Sequence, residues 1–234
     1  MPSYFCTIPN HSLRAQGMYV GLKMITDVVS VEKNTLISEA NELMEQHQLW
    51  MLPVVKSGKL IGYLQKEDVR SALPSPATLL SKHELPDVME HITIKDFIRK
   101  DIITVSPETE IETAAEIMAK NNLPGLAVTN PSGNLIGYIN RSVMLEVLVD
   151  EMGLHRGGKR FAIEFKDRPG VMAEVSKMIA DMGINFVSAA SFSHDDYYIL
   201  VFRIETENLD PVIEELKKRD FEILGPEAFA HIWQ

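Results

Sequence analysis

Apolar side chains recur at helical spacing in two places, Ile37, Ala40, Leu43 and Met44 and again Ile111, Ala114, Ile117 and Met118. A short apolar strand leads into each helix, Val28 to Val31 in one case and Ile102 to Val105 in the other. Between strand and helix lies a threonine, Thr35 or Thr109, placed to cap the first turn. Glu112, three residues after Thr109, completes the pattern of a capping box. After each helix come two apolar strands joined by a glycine turn, MLPVV-KSG-KLIGYL and GLAVT-NPSG-NLIGYI. A short helix, Lys66 to Leu73 or Arg141 to Val149, closes the unit, so the order β-α-β-β-α occurs twice.

The two units are copies. At an offset of 74 residues, Asp27 falls on Asp101, Thr35 on Thr109, Ile37 on Ile111, Ala40 on Ala114, Met44 on Met118 and Leu49 on Leu123. One inserted residue near Pro131 then moves the register to 75 and lays GKLIGY on GNLIGY. Two copies of this length do not make a solenoid; they predict two units packed face to face about a pseudo-twofold axis. The intervening stretch, Leu73 to Phe97, holds LPSPATLLSKHELPD and reads as a connector. His83 and His91 lie in it with Glu84 and Asp87, without a repeated ligand spacing, so they read as solvated polar side chains and no metal site is predicted.

Past a glycine hinge at Arg156-Gly157-Gly158-Lys159 the pattern changes. RFAIEF alternates Phe161, Ile163 and Phe165 on one face, and Val171, Val175, Met178, Ile179 and Met182 form a helical stripe that stops at Gly183. INFVSAASF and YYILVFRIET make a hairpin around a polar tip at His194-Asp195-Asp196. Asp210 as N-cap with Pro211 behind it starts a helix bearing Val212, Ile213 and Leu216. FEILGP and AFAHIW supply the last strand. This β-α-β-β-α-β order predicts a ferredoxin-like fold. The fold class is therefore α+β, divided as an extension (1–17), two repeats (18–80 and 81–152), a linker (153–158) and a C-terminal domain (159–234).

Composition narrows the function. With 45% hydrophobic and 24% charged residues the chain can bury real cores. Its net charge of −10 divides evenly at Gly158, −5 on each side, so neither part offers the basic face a nucleic-acid binder needs. One cysteine, Cys6, excludes a disulfide scaffold, and no apolar run reaches the roughly 20 residues of a membrane span. Residues 1–17 lack any periodicity and any secretion signal, and are read as an extension without function. Together these predict a soluble, cytoplasmic protein. The sequence has no nucleophile elbow, phosphate loop, metalloprotease helix or dinucleotide fingerprint, so it is not read as an enzyme.

The repeated D-h-h-x-V opening, the L-P-V-V strand and the run Gly62 to Asp68 (GYLQKED) resemble a tandem of cystathionine-β-synthase-type (CBS) domains, a Bateman module, over residues 18–150. That resemblance implies adenine nucleotides held in clefts between the repeats, with a carboxylate at the end of G-h-h-[ST]-x-x-D accepting the ribose hydroxyls. Here the carboxylate is Asp68, while Gln65 departs from Ser/Thr and the second copy has Val143 in the acidic position. The implied site is Tyr63, Gln65 and Asp68, faced by Ile102, Ile103, Leu123 and Pro124, with Lys66, Arg70, Arg99 and Lys100 as the cations nearest for phosphates. Val28, Val29, Trp50 and Met51 would line the other cleft, where core packing is expected. Asp68 capping the following helix is the plain alternative.

Asp167-Arg168-Pro169-Gly170-Val171 leading a helix, with Gly183-Ile184-Asn185 after it, resembles an ACT domain. This implies an amino acid or similar small effector bound at Asp167, Arg168, Pro169, Gly170 and Val171 with Asn185 opposite, and side-by-side pairing into a homodimer. The CBS–CBS–ACT order is similar to that of the acetoin-utilisation-protein family. The resemblance implies a non-catalytic, ligand-sensing regulator: no cofactor beyond a regulatory AMP or ATP, and a regulated protein partner not identifiable from sequence. The competing expectation is an adaptor subunit that dimerises and docks partners without any ligand.

Overall fold

The structure, a computed structural model, describes residues 18–73, 92–166, 168–194 and 197–228. The extension with Cys6, residues 74–91 of the connector with His83 and His91, Asp167, the Asp195-Asp196 tip and residues 229–234, which hold most of the AFAHIW segment expected in the last strand, lie outside the described residues. The chain forms two compact units, one reaching to Leu145 and the other starting at Glu146.

In the first unit a short helix, α1 (Val20–Lys23), precedes the first copy: β1 (Val31–Glu32), α2 (Ile37–Gln46), β2 (Met51–Lys56), β3 (Lys59–Gln65) and α3 (Lys66–Ala72). The second copy is β4 (Thr104–Val105), α4 (Ile111–Lys120), β5 (Gly125–Thr129), β6 (Leu135–Asn140) and the start of α5 (Arg141–Glu151), a helix that continues past Leu145. Each copy builds one three-stranded sheet, order β1-β2-β3 and β4-β5-β6. The outer pair is parallel and the hairpin antiparallel, with a register shift after Val54 and, one period later, after Val128. The helical stripes point inward as their spacing requires: Ile37, Ala40 and Met44 are fully buried with Leu52, Val54 and Leu64, and Ile111, Ala114 and Met118 are buried beside Leu126, Val128 and Ile139.

Two local expectations are corrected. The opening strands are short: of Val28 to Val31 only Val31 is in β1, and of Ile102 to Val105 only Thr104 and Val105 are in β4. The residues before them serve the other copy. Ile25 exchanges main-chain hydrogen bonds with Tyr138 (2.8 and 2.9 Å), and Arg99, one period on, does the same with Tyr63 (3.0 and 2.9 Å). Each opening segment thus adds to the hairpin of its sister. Nor do Thr35 and Thr109 cap their helices. The N-caps are Leu36 and Glu110, without a side-chain bond, and Thr109 Oγ1 accepts from the Ser106 N–H at 3.1 Å. The first helical N–H groups are satisfied from outside: Ile37 donates to Ile92 O and Ile111 to Met18 O, both at 2.9 Å.

This exchange explains a glycine. A Cβ on Gly62 would meet Ile98 Cγ2 at 2.5 Å and the Arg99 carbonyl oxygen, and one on Gly137 would run into the Met24 side chain. Ile98 and Met24 stand one period apart, so the glycine of both LIGY strands admits the swapped segment against its face.

The second unit is β7 (Lys159–Lys166), α6 (Val171–Asp181), β8 (Phe186–His194), β9 (Tyr197–Ile204), α7 (Asp210–Lys217) and β10 (Glu222–Ile223). Its sheet has the order β10-β7-β9-β8, with every neighbour antiparallel. That is the ferredoxin-like arrangement. Phe161 and Ile163 from β7 and Leu200, Phe202 and Ile204 from β9 alternate onto one face, where they meet Val175, Met178 and Ile179 of α6 and Val212 and Leu216 of α7. Gly183, at φ 71°, ends α6 as its position predicts. Asp210 is not a cap: its own N–H donates to Asn208 Oδ1 at 2.9 Å, and the N-cap is Leu209. The glycine stretch before β7 is held: Arg203 donates through Nε to Met152 O (3.0 Å) and through Nη1 to Gly158 O (3.3 Å), and Ser188 Oγ donates to Met152 O (3.0 Å).

Candidate functional site

The pseudo-symmetry of the repeats places matching residues around one cavity of about 640 Å³, lined by Gln48, Leu49, Trp50 and Lys66 from the first copy and Pro124, Tyr138, Asn140, Arg141 and Ser142 from the second. Trp50 and Pro124 are one period apart, as are Lys66 and Arg141. In both copies the first N–H of the closing helix donates back to that paired residue, Lys66 to Trp50 O at 3.0 Å and Arg141 to Pro124 O at 3.3 Å. The backbone therefore presents two cations to the same space.

Trp50, expected in a packed cleft, is instead 63% exposed. Lys66 explains its position: the ammonium lies 5.5 Å from the indole centroid and 3.1 Å from Glu45 Oε1. Hydrogen bonds from Lys66 and from Arg70, at 3.4 Å, hold the Glu45 carboxyl below the usual carboxylate range. Arg141 Nη2 donates to Asn122 Oδ1 at 3.0 Å. Among the described residues, none that lines the cavity is a carboxylate. Val143, at the acidic position of this copy, donates its N–H to Asn140 Oδ1 at 2.9 Å, so Asn140 closes the helix turn.

Asp68 is engaged on both oxygens. Oδ2 accepts from Arg99 Nε (2.7 Å) and from the Gln65 N–H (3.2 Å), and Oδ1 accepts from Arg99 Nη2 (2.8 Å). Gln65 and Asp68 form a reciprocal capping box at the start of α3, which is the plain alternative set out from sequence. The Arg99 guanidinium, then the Gln65 N–H, hold the Asp68 carboxyl below its usual range, and the same pairing raises the Arg99 value. The other expected residues divide. Tyr63 is buried against Met51, Tyr138, Val28 and Ile102; Ile103 is 37% exposed; Leu123 is partly buried; Pro124 lines the cavity. Burial pushes the Tyr138 phenol up.

In the second unit, Gly170 takes φ 90° as the N-cap of α6, and Arg168 and Pro169 are exposed before it. Arg168 Nη2 donates to Glu174 Oε2 at 2.7 Å and its guanidinium lies 5.8 Å from the Phe221 ring centroid. Asn185 Nδ2 donates to Glu205 Oε2 at 3.1 Å. Val171 has its side chain in the core at 2% exposure, so it can offer a ligand only its main chain.

The profile for CBS domains matches residues 20–75 and 94–150, and that for ACT domains matches 163–221. An uncharacterised protein of Methanocaldococcus jannaschii, MJ1426, is 30% identical over 148 residues, which is 52% of this chain and 86% of that protein. The chain belongs to the CBS-domain proteins. It carries two CBS domains followed by an ACT domain. An inosine-5'-monophosphate dehydrogenase of Korarchaeum cryptofilum is 34% identical over 116 residues, half of this chain, but the match spans only 21% of that enzyme. A Vibrio cholerae protein assigned to acetoin utilization (AcuB) shares the fold at TM-score 0.50 and 19% identity, over 62% of this chain and 99% of its own. Among the described residues no helix is long and apolar enough to cross a membrane.

Proposed function

We propose that this CBS–CBS–ACT protein is a non-catalytic cytoplasmic regulator that senses an adenine nucleotide between its CBS domains and an amino acid at its ACT domain. The observation that supports the first half is the cavity of about 640 Å³, within the range of small-molecule sites, with an exposed indole on its wall and cations contributed by both repeats. A flat aromatic face suits a purine base, and Lys66 and Arg141 suit phosphate oxygens. The second proposed cleft takes Tyr63, Gln65 and Asp68, with Ile102, Ile103, Leu123 and Pro124, and in this reading Asp68 is its sugar grip, although Pro124 also lines the cavity and Tyr63 is buried. For the amino acid, Asp167, Arg168, Pro169 and Gly170 precede, and Val171 opens, an eleven-residue helix whose first N–H groups suit a carboxylate, with Asn185 across the loop. The exposed ACT edge strand, β8, favours a homodimer, through which a regulated protein would read the ligand state.

The test is calorimetric titration of the full chain with AMP, ADP and ATP, alongside Trp50 fluorescence in a Trp233→Phe background. Saturable binding with a change in indole emission supports the reading. One observation favours a second reading: Asp68 already has partners for both oxygens, as a purely structural residue would. In that case the protein is an adaptor that dimerises without ligand, and no nucleotide or amino acid raises its melting temperature.

A further inference from the structure

The two copies differ at two places together. Arg99 and Asp68 correspond by the repeat to Ile25 and Val143. A base and an acid are both present or both replaced by apolar residues, which marks them as one unit. The unit is built across the copies. Asp68 sits on the first turn of α3, and Arg99 belongs to the opening segment of the second copy, fixed to β3 by its two main-chain bonds to Tyr63. The guanidinium meets the carboxylate by a two-point contact at 2.7 and 2.8 Å.

Resting on the nucleotide reading above, we propose that Arg99 is the specificity-determining residue of the Asp68 cleft: it occupies the sugar grip until a ligand supplies a phosphate to take its place. A ribose diol alone can replace Arg99 on Asp68, donating two hydroxyls to the same two oxygens. That exchange trades charge-assisted hydrogen bonds for neutral donors and leaves the guanidinium without its carboxylate. A phosphorylated nucleoside closes both ends. Its diol takes Asp68, and its phosphate gives the released guanidinium a new two-point acceptor. The main-chain pairing to Tyr63 keeps the Arg99 backbone in place while only the side chain swings. The cleft therefore selects nucleotides over nucleosides and over adenosyl compounds that carry a positive charge. The sister positions, Ile25 and Val143, carry no acid–base pair and so have no such exchange.

Calorimetry of the full chain with AMP and with adenosine tests this. Wild type is expected to bind AMP at least about tenfold more tightly than adenosine, since a two-point Arg–phosphate contact is worth that much or more. In Arg99→Ala the freed Asp68 gains affinity for adenosine, AMP loses affinity, and the ratio falls toward one. Arg99→Gln, which keeps hydrogen-bond donors but no charge, gives the same collapse and guards against a folding defect in the alanine variant. Asp68→Asn loses both ligands at this cleft. An AMP-to-adenosine ratio that stays put in both Arg99 variants overturns the proposal while leaving nucleotide sensing intact. Absence of binding by either ligand in wild type and in both Arg99 variants overturns the nucleotide reading and this inference with it.

Discussion

Replacing Gly62 by Ala forces a Cβ into the Arg99 carbonyl oxygen and the Ile98 side chain. The carbonyl is backbone, pinned by the two Tyr63–Arg99 hydrogen bonds, so it cannot rotate away. The segment must lift off β3. Losing those two bonds costs about 1 kcal/mol each. The Asp68–Arg99 pair, whose arginine side chain is 40% exposed, contributes about 0.5–1 kcal/mol more after solvent screening. Alanine in a strand returns about 0.5–1 kcal/mol relative to glycine. The net loss is about 2 kcal/mol. Gly137→Ala is the internal control, because the three atoms nearest its Cβ all belong to the flexible Met24 side chain, which can turn aside at a cost below about 1 kcal/mol. Urea unfolding followed by Trp50 emission, with Trp233→Phe as the parent, reads both variants. Equal midpoints for the two would refute the argument that the motif glycine exists to admit the swapped segment.

Further outcomes follow from the same geometry. The folded Asp68 carboxyl titrates below its ordinary value of 3.8, so the stability gap between wild type and Asp68→Asn is present above that value and shrinks as pH falls through the lower folded one; a gap constant from about pH 2 to 6 contradicts the pairing. Phe202, fully buried with Phe161 and Phe186 at ring-centroid distances of 5.4 Å each, loses about 3–5 kcal/mol on truncation to Ala, seen as faster hydrogen exchange across β7 and β9. Arg203→Ala removes the side-chain donor to the Gly158 carbonyl and leaves Met152 O to Ser188 alone, and tryptic cleavage after Arg156 accelerates several-fold; an unchanged rate means the stretch is held by other contacts.

Periodicity alone determined most of the architecture of this protein. The duplicated β-α-β-β-α unit, the ferredoxin-like C-terminal domain and the inward faces of α2, α4 and α6 were all legible, because burial of one face at a spacing of 3.6 or 2 residues is a local property written into consecutive side chains. Asp68 could likewise be picked out, both as an acid at a motif end and as a helix cap. Tertiary structure decided everything that depends on a partner distant in sequence. The Ile92 and Met18 carbonyls replaced the predicted threonine caps, the opening segments crossed to the sister copy, Trp50 turned outward beside Lys66, and Arg99 closed on Asp68 from 31 positions away. A main-chain or ionic partner is chosen by where the chain returns in space, and no periodicity records that return.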